Sequence, residues 1–325
     1  MPAPISRVGF ILKPGEERAT ALLHEILAFL NERGIEVYAD RRMTEFQKSA
    51  HLVDRAEMSQ AIDLLLVLGG DGTMLAASRL LGNRRVPVIG INFGTLGYLT
   101  EVPGEHAIAT LSRVIAGDFE VNTRMRLEAI VSRHGEQVAS GPVLNDVVIA
   151  KSALSRIISI ECHIESQFLS VYRADGLIVA TPTGSTAHSL SAGGPIIHPS
   201  VEAVILSPIC PHTLSNRPIV VPAGWTIELE LLSRGEEVAL SRDGQIGIGL
   251  RAGDQITIRR HAVPFDLVSL RDRTHFEVLR QKLGWNGSSE DGAHAADDTP
   301  AAEKTESGRV SARNTPPAGT SGQNS

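Results

Sequence analysis

Apolar and polar positions follow two different rhythms along the chain, and the change falls near residue 120. Before it, short aliphatic runs alternate with stretches of helical spacing. Residues 8–12 predict a buried strand and residues 13–16 a loop. Residues 19–33 predict a helix, because Leu22, Leu23, Ile26, Leu27, Phe29 and Leu30 recur at helical intervals. Gly34 is a natural C-terminal stop. Residues 35–39 predict a second strand, and residues 63–68, almost wholly aliphatic, a strand covered on both faces. Residues 74–81 predict a helix and 86–91 another strand. Strands alternating with helices imply a mostly parallel sheet of the Rossmann-like α/β class.

After residue 120 the rhythm shortens. Alternating runs at 128–132, 146–150, 157–164, 177–180, 219–221, 226–232, 237–240 and 255–259 are separated mostly by Gly, Pro, Asn or Asp. That pattern predicts an all-β, sandwich-like unit. Residues 276–283 return to helical spacing. From Gly284 onward Ser, Gly, Ala, Glu, Asp, Thr and Pro dominate, and such a segment buries too little apolar surface to offset its ordering entropy. The expected organisation is therefore an α/β domain over 1–121, an all-β domain over 122–265, a segment at 266–283 returning to the first domain, and a disordered tail over 284–325.

Composition narrows the classes. The formal net charge of −6 gives the chain as a whole no footprint for nucleic acid, where phosphates must be neutralised by many basic groups. No apolar run approaches the roughly 20 residues of a membrane span. The first residues enter a strand-like run with no charged-then-apolar leader. The two cysteines, Cys162 and Cys210, stand in no ligand or redox spacing and read as ordinary thiols of a reducing compartment. The expectation is a cytoplasmic protein. His188, His198 and His212 match no zinc pattern.

The strongest chemical signal is the run 64–68 leading into Gly69-Gly70-Asp71-Gly72-Thr73 and then a helix. Glycines at a strand end let the backbone approach a ligand closely. The following helix N-terminus offers N–H groups and a positive dipole end to phosphate, and Thr73 is a candidate cap. The turn is neither a Walker loop nor GxGxxG. Asp71 is the informative residue, because a carboxylate beside phosphates is repelled by them. It makes sense as a proton acceptor for an attacking hydroxyl or as the anchor of a bridging divalent cation. A turn Asp tolerant of left-handed geometry is the plainer alternative.

A second cluster runs from Asp175-Gly176 through Thr181-Pro182-Thr183-Gly184-Ser185-Thr186-Ala187-His188 to Ser189-Leu190-Ser191-Ala192-Gly193-Gly194-Pro195. Its hydroxyls and turn N–H groups suit ribose and phosphate oxygens. Asn145-Asp146 opens a strand, and Asp243-Gly244-Gln245 reads as a hairpin turn.

Together with residues 89–99 and Asn216-Arg217-Pro218, these motifs resemble the bacterial NAD kinase family over roughly residues 5–283. The glycine turn alone is shared with lipid kinases, whereas the hydroxyl-rich segment is far more specific. The resemblance implies an α/β domain, an all-β domain and an active site between them. It implies transfer of a phosphoryl group from ATP to the 2′-hydroxyl of the adenosine ribose of NAD, with Mg2+ accompanying the donor, in a homodimer or homotetramer. The catalytic residue it implies is Asp71, which also reaches the metal through the donor rather than as part of a protein cage. The implied dinucleotide contacts are Asp71, Gly72, Asn145, Asp146, Arg156, Arg173, Asp175, Thr186, Ala187, His188, Ser189, Leu190, Ser191 and Gln245. Asp146 stands where the family commonly has Glu, and His188 where Tyr is usual. Two other readings compete. A lipid kinase predicts a membrane-facing element that the sequence does not show. A dinucleotide-binding regulator without catalysis would lack Asp71, which is present.

Overall fold

A computed structural model describes residues 4–13, 15–94, 97–153, 155–213, 215–270 and 274–285. In chain order the first half runs β1 (Arg7–Leu12), α1 (Glu17–Asn31), β2 (Glu36–Asp40), β3 (His51–Val53), α2 (Arg55–Ala61), β4 (Leu64–Leu68), α3 (Asp71–Leu81), β5 (Val88–Asn92), β6 (Val102–Pro103), α4 (Ala107–Ile115) and β7 (Glu120–Arg124). The second half runs β8 (Leu127–Arg133), β9 (Glu136–Val143), β10 (Asp146–Lys151), β11 (Ile158–Ile164), β12 (Gln167–Ala174), β13 (Gly176–Ala180), α5 (His188–Ser191), β14 (Ala203–Ile209), β15 (Ile219–Pro222), β16 (Ile227–Leu231), β17 (Val238–Arg242), β18 (Ile246–Leu250) and β19 (Gln255–Arg260). β20 (Phe265–Ser269) and α6 (His275–Leu283) close the described chain.

The first sheet has the order β3-β2-β1-β4-β5-β20-β7, with β6 beside β5. Its pairings are parallel except that of β20 with β7. β4 explains the aliphatic run, since all five of its side chains are fully buried. Leu64, Leu66 and Leu68 face α1 and α4, while Leu65 and Val67 face the residues of α2 and α3. Alternation in a strand delivers that two-sided burial, so both helical layers share one strand. The strand order reverses between β1 and β4, and ligands of open α/β sheets bind in the crevice such a reversal leaves at the strands' C-terminal ends. The glycine turn follows β4 at that end.

Two six-stranded antiparallel sheets form the β half, β15-β14-β13-β10-β17-β18 and β12-β11-β16-β19-β8-β9. Inward residues of alternating strands fill the space between them: Leu127, Ala129 and Val131 from one sheet meet Val147, Ile149, Leu177 and Val179 from the other. The fold is thus an α/β domain with a mostly parallel sheet plus an all-β sandwich. The outer face of β13 is buried too, because Ala192 and Ile197 of the following loop cover Ile178, Ala180 and Ile205.

The two halves meet along α3. Leu144 of the β half belongs to the same apolar cluster as Met74, Leu75 and Leu81. Arg126, 1 % exposed, donates to the carbonyls of Ser78 (2.9 Å) and Gly82 (2.7 Å) at the C-terminal end of α3, and to that of Val263 (2.9 Å). A cation suits a helix C-terminus, where unpaired carbonyls carry the negative dipole end. Burial still pulls the guanidinium down to about 10.

The helix expected over 74–81 begins at Asp71, and Gly70 rather than Thr73 takes the N-cap position. Thr73 sits inside the first turn, its N–H donating to Gly70 O at 2.9 Å. Apart from Gly284, which caps α6 at φ 66, and Trp285, the tail expected over 284–325 lies outside the described residues.

Candidate active site

Gly69 and Gly70 turn the chain from β4 into α3. A Cβ at Gly69 would stand 2.5 Å from Thr73 Oγ1 and 3.0 Å from Lys13 Cβ, so only glycine fits. A Cβ at Gly70 would meet nothing, which marks open space in front of the helix. No side chain caps that N-terminus, so its first N–H groups are available to an anion.

Asp71, first residue of α3, is held by the segment after β5. Its carboxylate accepts hydrogen bonds from the N–H of Tyr98 (2.8 Å) and Leu99 (3.0 Å) and from Thr100 Oγ1 (3.3 Å). A carboxylate offers about four lone-pair directions, so about one stays open for a hydroxyl or a cation. Gly97 makes this arrangement possible, because a Cβ there would lie 2.7 Å from Asp71 Cγ and closer still to Oδ1.

Across the cleft, Thr181 ties the second cluster to Asn145. Its hydroxyl donates to Leu144 O at 2.6 Å, its N–H to Asn145 O at 2.8 Å. A short 3-10 turn over Thr183–Thr186 then leads to α5, which carries His188, Ser189, Leu190 and Ser191. Ser189 faces inward, hydrogen-bonded to Ser207 at 3.0 Å, and so is buried rather than presented to the cleft. Thr186 and Ala187 are half-buried, and His188 is exposed.

Asp146 is fully buried and lies 3.1 Å from His188 Nδ1. Burial raises its carboxyl above the ordinary value, and His188 pulls the other way. The His188 side chain is 55 % exposed, so a buried carboxylate orients an accessible ring. Gly244 leaves room for that ring, since a Cβ there would lie 3.2 Å from His188 Cε1.

Gln245 bridges the halves, its Nε2 donating to Gly72 O at 2.9 Å and its Oε1 accepting from Arg79. Gly72, Asn145, Asp146, His188 and Gln245 therefore converge. Asp175, Arg173 and Arg156 do not join them. In the pairing of β10 with β13, Asp146 faces Ala180 and Ala150 faces Gly176, four residues or about 13 Å further on. Asp175 lies at that far end, 3.5 Å from Lys151 Nζ. Arg173 is exposed on β12, and Arg156 is an exposed loop residue whose N–H donates to Glu236 at 2.8 Å.

Sequence reasoning missed Arg79 and gave Asp243 only a turn. Arg79 lies seven residues after Gly72, two helical turns along the same face, and that spacing was the available signal. Among the described residues no three metal-binding side chains converge.

Comparison with known proteins gives a consistent likeness. Family models described as the ATP-NAD kinase N-terminal and C-terminal domains match residues 8–119 and 144–270. The chain is 42 % identical over 281 residues to an NAD kinase of Geobacter sulfurreducens, covering 86 % of this chain and 99 % of that one. It is 44 % identical over 285 residues to an NAD kinase of Citrifermentans bemidjiense, with the same coverage. Among solved structures it resembles yeast NADH kinase complexed with NADH, with TM-score 0.80 and 28 % identity, covering 88 % of this chain and 89 % of that one. It also resembles an NAD kinase from Archaeoglobus fulgidus in complex with ATP, with TM-score 0.67 and 26 % identity, covering 86 % and 98 % respectively.

Proposed function

The chain belongs to the NAD kinase family, and from that premise we propose that it transfers the γ-phosphoryl group of ATP to the 2′-hydroxyl of the adenosine ribose of NAD, giving NADP. The observation that carries this reading is the Asp71 carboxylate, fixed by three donors at the start of a helix whose N-terminus is open to phosphate. A ribose hydroxyl is a weak nucleophile, and its proton must leave as the new phosphorus–oxygen bond forms. Asp71 takes that proton, the bond from the γ-phosphorus to its bridging oxygen breaks, and ADP departs with the electron pair. Such general-base assistance is worth about 10²–10⁴-fold. Alternatively, the open position of Asp71 would hold, together with the donor phosphates, the Mg2+ entering with ATP, which would supply neutralisation of the charge developing on them.

In this reading residues 1–121 with 266–283 form the donor side and residues 122–265 the acceptor side. Asn145, Asp146, His188 and Gln245 hold the adenosine ribose, with Thr186, Ala187, Leu190 and Ser191 nearby and Ser189 supporting from within. Arg156, Arg173 and Asp175, which lie apart from these residues, supply further dinucleotide contacts in this reading. Homo-oligomer formation belongs to the proposal, supported by Phe168, Leu169 and Val171 exposed on the edge strand β12. A cytoplasmic setting belongs to it too, supported by the unpaired thiols Cys162 and Cys210.

The test is direct: purified protein with NAD, ATP and Mg2+ is assayed for NADP with an NADP-specific dehydrogenase. NADP formation dependent on all three supports the proposal, and its absence refutes it.

A further inference from the structure

The Asp243 carboxylate is fully buried in a hairpin turn that does not require it. Asp243 sits at φ 52 and Gly244 at φ 63, and Asn or Gly satisfies such a turn without a charge. Burying a carboxylate opposite an arginine is usually no better than an apolar pair, so the charge calls for another reason. Its contacts supply one. Asp243 accepts the N–H groups of Leu144 (3.1 Å) and Asn145 (2.7 Å), the two residues leading into Asp146. Its own N–H donates to Asp146 O at 2.9 Å. Its second oxygen faces Arg79 Nη1 of α3 at 3.8 Å, an ion pair longer than a hydrogen bond. Arg79 Nη2 holds Gln245, and Gln245 holds the carbonyl of Gly72. The contacts close a ring from the glycine turn along α3, across the cleft, to the Asn145-Asp146 segment.

We propose that Asp243 and Arg79 are positioning residues that hold the Asn145-Asp146 segment in register with the helix bearing Asp71, so that acceptor and donor sides keep one fixed separation. This role rests on the function proposed above. The pair touches no reacting atom. It acts by placing the ribose hydroxyl against the γ-phosphorus, where a misplacement of about 1 Å costs on the order of 100-fold in rate. Loosening the ring therefore lowers turnover more than it lowers donor affinity.

Arg79→Gln, Asp243→Asn and the double variant separate this role from simple structural support. Asn keeps the turn geometry and the size of Asp243. NADP formation is measured with NAD and ATP varied separately, and thermal unfolding is recorded beside it. Each single variant is expected to lose at least about tenfold in kcat, with the KM for ATP within about threefold of the parent. Asp243→Asn is expected also to raise the KM for NAD, because a neutral amide oxygen replaces the carboxylate as the acceptor for Leu144 and Asn145 and the ion pair with Arg79 is lost. The double variant should be no worse than the worse single one, since residues acting as a unit are non-additive. Should Asp243→Asn fail to fold, Arg79→Gln alone carries the kcat-against-KM test. Singles whose losses multiply in the double, a kcat for Arg79→Gln within about threefold of the parent, or losses that track the unfolded fraction overturn the proposal. A parent that forms no NADP overturns the function and this role with it, whereas an active parent with unaffected variants overturns this role alone.

Discussion

Gly97→Ala tests whether Asp71 has to be held where it is. The new methyl would stand 2.7 Å from Asp71 Cγ. Non-bonded carbons rest near 3.5–4.0 Å, so Asp71 or the 97–100 segment must give way by about 1 Å. The hydrogen bonds from Tyr98, Leu99 and Thr100 to the carboxylate are the contacts that stretch. Overpacking of this kind costs about 1–3 kcal/mol. At roughly 2–4 °C per kcal/mol for a chain of this size, Tm falls by about 2–12 °C. The catalytic loss is larger, because a displacement of about 1 Å at the reacting group costs on the order of 100-fold. The assay is kcat for NADP formation at 25 °C, where the variant is still folded, with Tm from circular dichroism. Gly104→Ala is the control, since its methyl meets nothing nearer than 3.4 Å, at Phe93, and it should keep parental kcat within about twofold. A Gly97→Ala enzyme whose kcat stays within about threefold of the parent would refute the claim that Asp71 works from this position.

Two further outcomes follow from the β half. Asp146→Ala removes the carboxylate behind His188 and is expected to raise the KM for NAD by about 1.5–3 kcal/mol, roughly 10–150-fold, while Asp146→Glu stays close to the parent; an unchanged KM in the Ala variant would return Asp146 to an ordinary strand start. Asp243 gives a pH signature: burial pushes it up to about 6, above an unfolded value near 3.9, so the folded state binds more protons in that window. The stability contributed by this group is then largest at low pH and falls as pH rises from about 4 through 6, by up to about 3 kcal/mol. Asp243→Asn cannot titrate there, so it should gain on the parent between pH 4.5 and 7 in urea unfolding; a difference that stays flat across that range would contradict the burial-driven shift.

The parallel sheet was legible because its central strands are short, aliphatic and buried on both faces, as in β4, and because α1 shows one apolar stripe. Several elements escaped notice for physical reasons. β12 is an edge strand with Phe168, Leu169 and Val171 all exposed, so it shows no alternation. In β18 glycine takes every second position, which removes the polar half of the pattern. β3 and α2, at three and seven residues, are too short for periodicity to register. The glycine turn was legible because strand, glycines and helix are contiguous. The ring through Arg79, Asp243 and Gln245 was not, because its members lie 164 and 166 residues from Arg79 in the chain and meet only when α3 docks on the sandwich. The N-cap assignment missed because Thr73 looks like a cap in sequence, whereas the extended backbone at Gly70 starts the helix earlier.

Asp71→Asn tests the central claim most directly. The substitution keeps size and polarity, removes charge and basicity, and leaves the glycines on both sides untouched. At saturating NAD, ATP and Mg2+, kcat is expected to be at least about 100-fold below the parent, in line with the loss of a general base, with the unfolding transition preserved. A kcat within a few-fold of the parent would mean that Asp71 neither accepts the ribose proton nor anchors the donor's cation, and would contradict the mechanism proposed for this site.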